Sequence, residues 1–174
     1  VMMAYRIAFC KVHYPLAFYA AYFSIRADAF DVNLIAGGKE KVKSALKDLE
    51  TIEKPDERQK ELLIVLQLAW EMYLRGYCVE RVDLYRSAAE EFIIQEKSLL
   101  PPFTSLKGFG AVAAHSVIDA RKDGRFTSVA DFKKRTAVSK TNIELLREHG
   151  CLDELNESDQ MELFALPEVA ASAG

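Results

Sequence analysis

Apolar side chains recur with helical spacing at Met3, Ile7, Ala8 and Val12, and the pattern halts before Pro15. This predicts a helix over residues 1–13. Pro15 stands at the first-turn position of a second, aromatic-rich helix over residues 15–27. There Phe18, Tyr22 and Ile25, at i, i+4 and i+7, are expected to form the buried stripe. Asp31 to Gly38 reads as a turn region ending in Gly37-Gly38. Residues 39–53 form a charged, weakly amphipathic helix with Val42, Ala45, Leu46 and Leu49 on one face. Pro55-Asp56 restarts the helical pattern, with Asp56 as N-cap, and the helix runs to Arg75 and stops at Gly76. Its wide apolar face (Leu62, Leu63, Val65, Leu66, Ala69, Trp70, Met72, Tyr73) must be buried.

From Tyr77 to Leu100 the period changes. Val82–Arg86 and Glu91–Ile94 alternate or cluster like short strands, linked through Ser87-Ala88-Ala89, with Ser98–Leu100 as a third. Pro101-Pro102 marks the expected module boundary. Beyond it, Leu106-Lys107-Gly108-Phe109-Gly110 leads at once into a helix bearing Ala111, Ala114, Val117 and Ile118, which ends at Ala120–Gly124. A second turn-then-helix, Val138–Leu146, repeats the layout without glycines, with Ser139 as cap and Cys151-Leu152 packing after its end. The expected fold class is mainly α: a helical region with a small β element, then a helical-hairpin module and a disordered acidic tail.

Composition excludes some classes. Of 174 residues half are apolar and 28% charged, which rules out a disordered or collagen-like chain. No apolar run reaches the roughly 18–20 residues of a membrane span, so no membrane partner is expected. Cys10, Cys78 and Cys151 are far apart, without a C-x-x-C pair, and read as reduced thiols; His13, His115 and His149 are equally scattered, so no metal site is expected. The amino end starts inside a helical pattern and lacks a signal-peptide layout, as a piece of a longer cytoplasmic protein would. Taken alone the net charge of −3 disfavours nucleic acid, but it is an average. Residues 1–100 carry a net −1, residues 101–150 a net +4 and residues 151–174 a net −6. A basic module is followed by an acidic tail.

Within that module, residues 103–135 resemble a helix-hairpin-helix element and its capping helix, against the alternative of a purely structural helical hairpin. Gly108 and Gly110 allow close backbone approach and positive φ, and the N–H groups at the start of the next helix, from Ala111, favour an anion. Phe109 is expected to turn inward and pin the hairpin. Lys107, Arg121, Lys122 and Arg125 add Coulomb attraction, and nothing reads base edges, so binding to DNA backbone should be independent of sequence. Ser139, Lys140 and Thr141 of the second hairpin are either a second phosphate contact or a plain capped helix.

The tail, residues 153–174, is expected to be disordered. It holds an apolar island, Gln160-Met161-Glu162-Leu163-Phe164, which either docks into a partner's pocket or is a stray hydrophobic pair. Further stretches carry a resemblance over nearly the whole chain: Ala4–Ala8, His13–Ala17, Tyr22–Asp28, Phe30-Asp31, Val82–Ser87, Pro101–Phe103, the hairpin and His149–Leu152. Together they resemble the C-terminal end of the PolC-type DNA polymerase III α subunit, the replicative DNA polymerase of low-GC Gram-positive bacteria.

The resemblance implies that residues 1–100 are the end of the fingers region with its connection, residues 101–152 the duplex-binding module, and residues 153–174 the tail. It also implies that Gln160, Met161, Leu163 and Phe164 form a sliding-clamp motif. The implied partners are double-stranded primer-template DNA, the sliding clamp and other replisome proteins, in the cytoplasm. The parent would be a DNA-directed DNA polymerase using Mg²⁺. Its catalytic carboxylates lie in the palm, upstream of residue 1, so this piece alone would hold no catalytic residue and no cofactor and would be inactive. Asp28, Asp31 and Asp83 are isolated acids. The alternatives are a stand-alone helix-hairpin-helix adaptor of DNA repair or uptake, and a protein-interaction module whose hairpin only packs helices.

Overall fold

The computed structural model describes residues 2–157. Among them the chain is mainly helical: α1 (Met2–His13), α2 (Pro15–Ile25), α3 (Val32–Ile35), α4 (Lys39–Glu50), α5 (Glu57–Leu74), α6 (Ala111–Lys122), α7 (Val129–Arg135) and α8 (Lys140–Glu148). Between α5 and α6 lie β1 (Cys78–Val79), β2 (Ile93–Ile94) and β3 (Ser98–Leu100), then a single 3₁₀ turn at Phe103–Ser105. The small sheet has β3 in the centre, parallel to β1 (Val79 opposite Leu99) and antiparallel to β2 (Ile94 opposite Leu99).

Helix α5 forms where local chemistry and periodicity agree. Asp56 accepts from the Gln59 N–H and the Gln59 side chain accepts from the Asp56 N–H, a reciprocal cap. Val65, Leu66, Ala69 and Met72 then turn inward. Helix α4 covers one side of it through Val42 and Leu46.

Helix α2 corrects the expected stripe. Its buried residues are Leu16, Tyr19, Ala20 and Phe23, while Phe18 and Tyr22 are half-buried and Ile25 is 81% exposed. The helix has no charged residue, so periodicity gave no means of choosing a face. Tertiary partners choose instead: the Phe23 ring lies 5.0 Å from Phe30 and 6.2 Å from Phe92.

Two more segments differ from expectation. Asp31–Gly38 contains a helical turn, α3, because the Asp31 carboxylate accepts from the Asn33 and Leu34 N–H groups. Val82–Arg86 is not a strand, and β1 lies earlier, at Cys78–Val79. The Asp83 carboxylate accepts from the Tyr85 and Arg86 N–H groups, and Ser87 Oγ from the Asp83 N–H. Side chains that satisfy their own backbone in this way make a turn and compete with strand pairing. Of Glu91–Ile94, Ile93 and Ile94 enter the sheet.

A cluster of buried side chains extends from Leu16 to Leu152. Arg121 of α6 donates to the Leu84 and Ser87 carbonyls, and Cys151 Sγ donates to the Val82 carbonyl. The 82–87 turn is thereby held against both α6 and the end of α8. Burial pushes the Cys151 thiol up to about 12, so it stays protonated at neutral pH and serves packing, not nucleophilic chemistry.

Candidate nucleic-acid interface

The hairpin begins where the 3₁₀ turn closes, with the Leu106 N–H donating to the Phe103 carbonyl and the Phe109 N–H to the Leu106 carbonyl. Phe109 does turn inward. It is 3% exposed and stacks on Phe103 with ring centres 5.7 Å apart. Gly108 takes φ +93°, the left-handed region that a Cβ disfavours. Gly110 corrects the expectation of positive φ at both glycines: it is extended (φ −74°, ψ 156°) and is the N-cap of α6.

That cap has no side chain to offer, so no side-chain hydrogen bond closes the first turn of α6. A Cβ at Gly110 would meet nothing within 4 Å, and Val112 in the same turn is 80% exposed. The end of α6 therefore presents backbone N–H groups and the positive end of the helix dipole to open space, an arrangement suited to an anion such as phosphate.

The flanking residues divide by position. Lys107 forms a 3.0 Å ion pair with Asp31. Burial pushes the Asp31 carboxyl up, but the Lys107 ammonium and the α3 N–H groups pull harder and hold it below the usual carboxylate range. A depressed pKa stabilises the fold above the ordinary carboxylate value, and that contribution is lost as pH falls through it. Asp31→Asn should therefore cost about 1 kcal/mol at neutral pH, and the gap should close below about pH 4. Urea unfolding of both chains across pH checks this.

Arg121 and Lys122 sit in the last turn of α6, about 15 Å from its N-terminus by helix rise, and Arg125 follows beyond its C-cap. They would meet a different stretch of backbone from the one at the hairpin. Arg121 is occupied by two carbonyls, Lys122 forms an exposed pair with Asp119 at 2.7 Å, and Arg125 lies over the Tyr85 ring at 4.7 Å.

The second hairpin adjoins the first. A Cβ on Gly108 would lie 3.6 Å from Leu145 Cδ1, and Thr141 stands one turn before Leu145 on the same face of α8. Ser139 caps α8 by accepting from the Asn142 N–H, while Lys140 and Thr141 are exposed in its first turn.

Some candidates escaped sequence reasoning. Lys133 and Lys134 are exposed in the last turn of α7 and form no ion pair among the described residues. Arg58 of α5 lines a cleft of about 570 Å³ beside the hairpin, together with Thr104 and Lys107. Lys133-Lys134 was visible as a doublet, whereas nothing in the sequence placed Arg58 next to residues some fifty positions away.

Among the described residues no group of three or more His, Cys, Asp or Glu could hold a metal ion. Asp31 is committed to Lys107 and α3, and Asp83 to its own turn. These residues do not fit a Mg²⁺ centre. No helix among the described residues is long and apolar enough to cross a membrane. Gln160, Met161, Leu163 and Phe164 lie outside the described residues, as does most of the expected tail.

A glycine-turned hairpin, an inward Phe and a following helix whose N-cap has no side chain define a helix-hairpin-helix element, and the profile described as a helix-hairpin-helix motif matches residues 76–161. Relatives extend the match across the chain. The DNA polymerase III PolC-type of Caldanaerobacter subterraneus subsp. tengcongensis is 52% identical over 165 residues, covering 94% of this chain and 12% of that protein. The proteins of the same name from Bacillus subtilis (47% identical, 94% and 12%) and Listeria monocytogenes (45%, 94% and 11%) align over the same length. The chain belongs to the PolC-type DNA polymerase III family, as a C-terminal region carrying a helix-hairpin-helix motif. It spans about an eighth of the length of these relatives.

Proposed function

We propose that the chain is the duplex-gripping and clamp-tethering part of a bacterial replicative DNA polymerase. The parent would carry out DNA-directed DNA synthesis with Mg²⁺ in the cytoplasm, and this part, which has no metal-holding group among its described residues, would bind and not polymerise. Residues 1–100 close the fingers region, residues 101–152 hold primer-template DNA, and residues 153–174 reach the clamp through Gln160, Met161, Leu163 and Phe164. Contacts with other replisome proteins belong to the same reading.

The observation that carries it is the open N-terminus of α6 behind a hairpin pinned by Phe109. The N–H groups there meet a phosphate whatever the base, and Lys107, Gly108 and Ala111 frame it. Lys140 and Thr141 are the second contact, while Lys122 and Arg125 extend the grip along the backbone. Arg121 supports it through the 82–87 turn.

Two unrelated duplexes should bind equally well, and affinity should fall with salt at a log–log slope of about 0.9 per phosphate contacted. Fluorescence anisotropy across a salt series measures both. A flat salt response or a strong preference for one duplex defeats the reading. In parallel, Leu163→Ala with Phe164→Ala should end retention on immobilised clamp and leave the duplex isotherm unchanged. Undiminished retention removes the tether from the proposal.

A further inference from the structure

Helix α1 has charged side chains at Arg6 and Lys11, is otherwise largely apolar, and none of its residues is buried. A helix with so few polar positions ordinarily buries most of its surface. It packs along α2, and between them runs an almost wholly apolar groove of about 610 Å³ lined by Ile7, Cys10, Tyr14, Phe18 and Tyr22, with Arg6 as its charged residue. Of the fourteen large apolar side chains left exposed among the described residues, eight lie within residues 2–25. Scattered exposed apolar residues need no explanation, but a contiguous patch on a groove does.

We propose that this groove is an intramolecular docking surface, covered in the whole polymerase by an apolar segment of the same polypeptide from outside the region matched here. Three observations select that occupant. About seven-eighths of each relative lies outside the match, and a tethered segment meets the groove at high effective concentration. The lining offers one cation, whereas a grip on nucleic-acid backbone needs several. Arg6 has Met2 Sδ, at 3.8 Å, as its hydrogen-bond partner, while Lys11 is already paired with Glu71 at 2.6 Å. The covering segment therefore brings one carboxylate, to Arg6, on an otherwise apolar face. The inference rests on family membership and stands or falls apart from the DNA-binding reading.

Cys10, exposed here inside the groove, is the reporter. The full-length polymerase is pulsed with a maleimide and the Cys10 peptide is quantified by mass spectrometry. Cys10 should label about a hundredfold more slowly in the native protein than in the same protein unfolded in urea. Ile7→Asp in the full-length protein should raise the native rate about tenfold or more, because a buried carboxylate loosens the cover. Native labelling within a few-fold of the unfolded rate overturns the proposal. Protection that vanishes on dilution assigns the face to a second copy, and protection that appears only with added duplex assigns it to DNA. Either result also overturns it.

Discussion

A Gly110→Asp chain should keep its fold and lose duplex DNA. The position accepts the side chain without strain, since the backbone is extended at φ −74° and a Cβ there meets nothing within 4 Å. Aspartate is a better N-cap than glycine by a few tenths of a kcal/mol, so thermal stability should hold or rise slightly. The same carboxylate would accept from the α6 N–H groups proposed to hold a phosphate and would repel that phosphate. Two like charges about 4 Å apart cost about 1 kcal/mol in bulk water and about 4 kcal/mol near a protein surface, so affinity should fall about tenfold or more. Gly108 is the poorer probe: at φ +93° any side chain strains the hairpin, and lost binding would then report lost structure. Anisotropy on one duplex, with a melting curve of the same sample, separates the two effects. Unchanged affinity in the folded Asp variant means that the hairpin packs helices and does not touch DNA.

That clean separation exists because the hairpin is written locally. Gly108, Phe109, Gly110 and the small residues of α6 are contiguous, and each acts through its own backbone or the nearest side chain. Helix α5 was legible for the same reason, with its cap, its period and its terminal glycine all pointing to one element. Legibility failed where the choice belonged to distant partners. The uncharged α2 could face either way until Phe30 and Phe92 fixed Phe23. Asp31 and Asp83 turned two apparent loops or strands into side-chain-capped turns. A carboxylate's preference for its own backbone N–H over a ladder partner is invisible to an alternation pattern.

Charge was the least legible property of the candidate site. A net of +4 over residues 101–150 counts every cation as available to a partner. The fold spends them unequally. Arg121 is committed to the 82–87 turn and Lys107 to Asp31, while Lys133, Lys134 and Lys140 remain exposed. The potential a duplex meets is set by this partition, and helix-end dipoles add to it without appearing in any residue count.

Arg135 is the extreme case, and Arg135→Met should cost about 3 kcal/mol of stability. Its guanidinium donates to the Gly124 carbonyl at 3.1 Å, to the Arg125 carbonyl at 3.3 Å and to the Ala120 carbonyl, and pairs with Asp131 at 3.1 Å. It also lies 4.7 Å from the centre of the Phe126 ring, on a side chain 22% exposed. One cation thus closes the C-terminal end of α6 and joins it to α7. Methionine keeps the aliphatic bulk, so the loss reports the fork of donors, not a cavity. For a chain of this size the melting temperature should fall by about 6–12 °C. Arg135→Lys retains the charge but offers a single point donor in place of the planar fork, and should recover less than half of the loss. Full recovery by lysine would make the role electrostatic, and a Met variant that melts with the parent would show that the α6–α7 junction holds without the guanidinium.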